Sequence, residues 1–258
     1  MTGILRAELR KITTTRLWWI TLICILVLGG GYAAGVALLQ PGNGAQFDDP
    51  GVVRSIYNGG NPATRVLAMV LGIATIGSEY RHQTLAATYL ATPRRRRVLL
   101  GKAVSLLLFG LLYGVVSVVA GVVVSVPSIS TNDGSFFLDR ADTWRSLVLG
   151  VGSLALWTMI GMGIGLLVKN MLVAMLVGIS FAYLVEPILS LIFYLRDWDL
   201  GLNVLPTGAT NAMLGITSPV LFASDEPFAW WQGAMILAAW CLLPAVVGVL
   251  TTVRRDVI

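Results

Sequence analysis

The chain has 258 residues, 56% of them hydrophobic and only 12% charged, with a net charge of +5 from 18 Lys and Arg against 13 Asp and Glu. Its mean hydropathy is +0.81. Soluble domains carry about 25% charged residues, so this composition cannot cover the surface of a water-soluble globule and excludes a soluble enzyme, a nucleic-acid-binding domain and a disordered chain.

An all-α membrane protein remains, with room for about five to seven spans of about 20 residues in a single domain. Residues 1–16 come first. Leu5, Leu9 and Ile12 share one helical face, with Arg6, Arg10 and Lys11 to the other sides. That pattern predicts an amphipathic helix lying along a membrane surface. The first apolar run, about 17–39, is longer than a signal-peptide core of about 7–15 residues, so it reads as a retained span. Five further spans follow at about 62–78, 103–126, 146–168, 171–195 and 228–253. The second is the shortest and carries Arg65 near its start. Cys24 and Cys241 lie inside apolar runs and carry no disulfide signal.

Residues 79–102, between the second and third spans, are too polar to insert and too short for a domain. Glu79–Thr92 contains no Gly or Pro and stops before Pro93, which predicts a short helix. The run Arg94–Arg97 reads as a topology determinant; no basic fold surrounds it, so nucleic acid is not an expected partner. The fifth span holds one carboxylate, Glu186, followed by Pro187. A carboxylate in a span costs roughly 2.5–3.5 kcal/mol and should face protein or water. Two readings stay open: a polar point on a transport path or outer gate, and a structural ion pair with Arg65. Pro187 cannot donate to the Tyr183 carbonyl, which predicts a kink. Residues 203–224 are uncharged but contain Pro206, Gly208, Asn211, Gly215, Ser218 and Pro219. They read as outer re-entrant or interfacial helices, because a lipid-exposed helix does not tolerate that many breakers.

With the N-terminus inside, the inner segments carry thirteen basic residues and the remainder five. The positive-inside rule therefore places both termini in the cytoplasm. Trp18, Trp19, Trp144, Trp198, Trp230 and Trp231 then fall at membrane boundaries, whereas Trp157 and Trp240 lie mid-span. Gly31/Gly35, Gly110/Gly114 and Gly161/Gly165 form small-xxx-small pairs, which let helices approach closely.

The chain shows no chemistry of its own. A phosphate loop would need G-x-x-x-x-G-K-[ST]; the nearest text, Gly101-Lys102-Ala103, lacks the hydroxyl, and Arg96 stands where the first Gly belongs. His82 is the sole histidine, which excludes H-E-x-x-H zinc sites and disfavours a Ser-His-Asp triad. No catalytic residue, metal or cofactor is expected on this chain.

The phrase Glu79-Tyr80-Arg81-His82-Gln83-Thr84-Leu85, followed by Leu90-Ala91-Thr92-Pro93 and basic residues, resembles the coupling-helix region of ABC-2 type transporter permeases. The N-terminal RAELRKITTTRLWW, Val185-Glu186-Pro187 and the Leu205-Pro206 region are similar to that family as well. The resemblance implies a permease subunit of a bacterial exporter in the plasma membrane. It would pair with a second permease copy (identical or related) and be driven by two cytoplasmic ABC ATPase subunits, which would hold the ATP and Mg. Glu79, Tyr80, Arg81, His82, Thr84 and Leu85, with Arg6 and Arg10 of the N-terminal helix, would form the ATPase-coupling surface. Glu186 and Pro187 would mark the path or outer gate. The expected cargo is hydrophobic or amphipathic, a drug, peptide or lipid, moved outward by alternating access. Two alternatives remain: an ion-coupled secondary transporter, and a non-transporting immunity or sensor scaffold. The former would normally carry inverted repeats and several charges within the membrane.

Overall fold

A computed structural model describes residues 2–39, 48–58, 62–81, 95–131, 134–216, 224 and 226–254. Every regular element among them is helical. In chain order they are α1 (Thr2–Thr14), α2 (Leu17–Leu39), α3 (Pro50–Tyr57), α4 (Pro62–Arg81), α5 (Arg95–Thr131) and α6 (Ala141–Leu167). Then come α7 (Met171–Ser180), a π-helical turn (Phe181–Val185), α8 (Glu186–Tyr194), α9 (Asp199–Val204), α10 (Pro206–Leu214) and α11 (Trp230–Arg254).

Five of these stretches are long and apolar enough to cross a membrane: Leu17–Gly35, Arg97–Pro127, Ala141–Leu167, Met171–Tyr194 and Trp230–Gly248. Their outward faces carry large bare side chains such as Val148, Leu172 and Leu176. That is the surface of a multi-pass membrane protein, because lipid is the only solvent in which so much apolar area is stable. The expected second span, α4, is not among the five. It is 20 residues long, and its Thr, Ser, Glu and Arg side chains dilute its apolar content. α4 packs on α6, α7 and α2 and is largely buried, so it does not need a lipid-compatible surface. The third helix also differs from expectation: α5 starts at Arg95, two turns before the predicted 103, and shortens the connection from α4 accordingly.

α6 is the hub, packing against α4, α5 and α11. Lipid offers no hydrophobic drive between helices, so close backbone approach has to hold them. Glycines supply it. A Cβ on Gly161 would strike the Met69 carbonyl, and one on Gly72 would strike the Thr158 carbonyl. Gly110 and Gly114 of α5 rest on Ala155 and Val151 of α6. Two of the three small-residue pairs therefore serve internal packing. The third, Gly31/Gly35, has no described neighbour within 4 Å of either added Cβ.

Residues 203–224 do not form one continuous helix: α9 and α10 are separate short helices that meet at Leu205. Pro206, Ala209, Thr210, Ala212, Met213 and Leu214 of α10 are buried, so protein covers the helix that the sequence marks as unfit for lipid. α10 ends on Gly215 in the left-handed conformation (φ 61°), which caps the helix without a Cβ penalty.

Candidate functional site

Two buried polar centres stand out, one at each end of the bundle. The first joins α1, the C-terminal end of α4 and the N-terminal end of α5. Glu8 lies between Ile4 and Ile12, one turn from each, on the side of α1 that packs on α5, where Gly101 lets Ile4 approach. Lys102 Nζ, with its residue 1% exposed, donates to Glu8 Oε2 at 2.8 Å and also to Glu79 Oε1. Lys11 Nζ donates to Glu8 Oε1 at 2.9 Å and to Glu79 Oε1 at 3.0 Å. Glu8 and Glu79 are 3% and 6% exposed. Two lysines and two glutamates make the cluster neutral, and three helices separated in sequence are tied by it. Lys11 is the partly exposed member. Burial would lower its pKa, but hydrogen bonds and charge from Glu8 and Glu79 outweigh that and hold it above the usual lysine range.

The coupling residues divide accordingly. Glu79 faces inward to the two lysines. Arg6 and Arg10 are exposed on α1. Tyr80 and Arg81 line a cleft of about 470 Å³ with Lys169, Asn170, Met171 and Leu172. His82, Thr84 and Leu85, and with them most of the helix predicted over Glu79–Thr92, lie outside the described residues; Glu79–Arg81 form the last residues of α4.

The second centre lies near Glu186, sixteen residues along from Asn170 and thus about 24 Å up the bundle. Here the predicted kink takes a specific form. Pro187 has no N–H for the Tyr183 carbonyl, and the chain absorbs the defect in the π-helical turn, where the Glu186 N–H donates to the Phe181 carbonyl. The extra residue sets the direction of the side chain. At about 100° per residue, an uninterrupted helix would put Glu186 about 120° from Ala174, on the exposed side. The π turn removes roughly one residue of rotation and brings it to about 20°, in line with Ala174 and Gly178, the buried positions of α7. Glu186 is 3% exposed on an otherwise bare helix.

Its Oε1 accepts the Thr207 N–H at 2.6 Å. Thr207 is in the first turn of α10, whose N-cap residue, Leu205, has no capping side chain. Glu186 thus caps α10 from another helix, satisfying one orphan amide and placing negative charge at the positive end of the helix dipole. Arg65 is also buried, but no direct ion pair with Glu186 forms; its Nη2 donates to Asn211 Oδ1 at 3.2 Å, while the two charges remain within electrostatic reach. Trp157 Nε1 donates to Thr210 Oγ1 at 3.1 Å, and Ser146 Oγ donates to the Leu214 carbonyl at 2.6 Å. α10 is therefore fastened at its start by α8, in its middle by α4 and α6, and at its end by α6.

Sequence reasoning missed Glu8, Lys11 and Lys102 as a unit. The available signals were an acid on the apolar stripe of α1 and a lysine among the apolar residues that open α5. Among the described residues, no group of three or more His, Cys, Asp or Glu side chains clusters as a metal site.

The profile of ABC-2 family transporter proteins matches residues 4–185, from α1 through the π-helical turn. No curated protein matches the chain.

Proposed function

The chain belongs to the ABC-2 transporter family, and from that premise we propose that it is the permease subunit of an ATP-driven exporter. Members of this family work with ATPase subunits. In this reading α2, α4, α5, α6, α7–α8 and α11 are six spans, with α4 shielded from lipid by its neighbours. Both termini lie in the cytoplasm of a bacterial cell, and α9 and α10 form the outer re-entrant segment. Two ATPase subunits holding ATP and Mg drive a pair of permease copies, and the cargo is a hydrophobic or amphipathic drug, peptide or lipid moved outward by alternating access.

The observation that carries this reading is the buried cluster of Glu8, Lys11, Glu79 and Lys102. It binds α1 to the two helices that flank residues 82–94. A push on those residues is delivered to α4, α5 and α1 together, since a buried pair cannot be separated cheaply. The ATPase docks on residues 82–85 and on exposed Arg6 and Arg10, with Glu79 fixing the lever from within. α4 carries the movement to Arg65 and so to α10, the outer closure capped by Glu186.

The test is purification of the tagged chain in mild detergent, followed by reconstitution of what is recovered in inside-out vesicles. The reading expects a phosphate-loop ATPase to co-purify and ATP to drive accumulation of an amphipathic dye. Uphill movement by the isolated chain in an ion gradient would overturn it in favour of a secondary transporter. A stable complex with no ATP-dependent movement would favour a scaffold.

A further inference from the structure

The cleft between the end of α4 and the start of α7 has chemistry that the coupling role does not use. Arg81 and Lys169 are both exposed at its rim. No described ion pair engages either one, and the nearest acid in sequence, Glu79, is turned away to Lys11 and Lys102. Two cations without an ion-pair partner among the described residues therefore line a space of about 470 Å³, within the range of small-ligand sites. Tyr80 and Arg81 line it from the end of α4, and Lys169, Asn170, Met171 and Leu172 from the entry to α7. Leu172 is 69% exposed and lies in the first turn of α7, the helix that opens the least buried of the five long apolar stretches. The cleft thus takes one cation from each of the two segments that line it and includes Leu172, part of the exposed apolar surface of α7. Basic pockets between transmembrane helices at the cytoplasmic side suit anionic headgroups.

We propose that this cleft binds an anionic membrane phospholipid, its phosphate between Arg81 and Lys169 and its acyl chains along Leu172 and the bare face of α7. A soluble anion would gain nothing from the apolar wall. An acidic segment of the ATPase would meet the same cations, but it would leave Leu172 facing water. The occupant sits on the last residue of α4 and the α6–α7 connection at once, so it couples the lever to the α7–α8 stretch, which carries Glu186. The inference requires a membrane protein but not a particular cargo or direction.

The full chain, purified in a neutral detergent, is incubated with equal amounts of phosphatidylglycerol and phosphatidylcholine and bound lipid is counted by native mass spectrometry. The expected result is a preference for phosphatidylglycerol on the order of 30-fold, equivalent to about 1 kcal/mol for each of two basic side chains near the surface. Arg81→Gln/Lys169→Gln brings it close to parity, Lys169→Gln alone lowers it about 5-fold, and the exchange Arg81→Lys/Lys169→Arg retains it. Equal binding of both lipids, or a preference that survives the double neutral variant, overturns the proposal. So does displacement of phosphatidylglycerol by millimolar inorganic phosphate, which would mark a soluble-anion site. Loss of a co-purifying ATPase from the double variant with lipid preference intact would assign the cleft to a protein partner instead. None of these results depends on whether ATP drives transport.

Discussion

Replacing Lys102 by Met keeps most of the side-chain volume and removes the charge. Lys102 is the fully buried cation of the cluster that ties α1 to α4 and α5, and holds Glu8 Oε2 at 2.8 Å as well as Glu79 Oε1. Without it, two buried carboxylates share Lys11, whose side chain is 43% exposed. Removing one partner of a buried pair costs about 3–5 kcal/mol, because the other charge is left uncompensated. That corresponds to a shift of roughly 10²- to 10³-fold or more in favour of the undocked N-terminal helix. Lys11→Met removes a half-exposed cation and should cost no more than about 1 kcal/mol. The triple neutral variant Glu8→Gln/Glu79→Gln/Lys102→Met should recover much of the loss, since the one charge left unpaired, Lys11, has a side chain 43% exposed and keeps water. Tryptic cleavage at Arg6 and Arg10, followed over time in detergent, reads undocking directly. The reasoning fails if Lys102→Met is cleaved no faster than the parent, if Lys11→Met equals it, or if the triple variant is worse than the single.

Lys11 makes the docking of α1 depend on alkaline pH. Its pKa is raised on folding, so its contribution is complete below the ordinary lysine value of about 10.4 and is lost as pH rises through the higher folded value. Tryptophan fluorescence of Trp18 should show no transition attributable to this group between pH 7 and 9, with loosening only above about 10.4. At the α8–α10 contact, Glu186→Gln keeps an acceptor for the Thr207 N–H and should fold normally, whereas Glu186→Leu uncaps α10 at a cost of about 0.5–2 kcal/mol, measured as thermal stability in detergent. If Glu186→Gln also transports normally, the carboxylate charge has no part in the path. Gly161→Val should be severely destabilising, because its Cβ would enter the Met69 carbonyl, while Gly31→Val meets no described atom and should leave the monomer's stability nearly unchanged.

Most of the membrane helices could be read from the sequence. Charge-free runs of about twenty residues have few physical solutions other than helices in lipid, and α2, α6, the α7–α8 stretch and α11 lie close to the expected bounds. α4 was legible only as an ambiguity, since composition registers Arg65, Glu79 and Arg81 but not the helices around them. Glu186 was legible as a buried group, because a carboxylate in lipid must find a partner. Its actual partner was not: Arg65 was the nearest charge of opposite sign, yet the contact is the backbone of Thr207, an amide that every residue but proline carries and that no sequence pattern singles out.

The buried cluster of two lysines and two glutamates shows the same division most sharply. Glu8, Lys11, Glu79 and Lys102 each read as surface charges, because charged residues are almost never fully buried unless paired, and a pair between positions 8 and 102 has no local signature. Composition and periodicity report how each segment meets its solvent, so they settle that the chain enters lipid and mark most of its long apolar helices. Which charge meets which depends on distances between segments far apart in the chain, and those exist only after α1, α4 and α5 have packed.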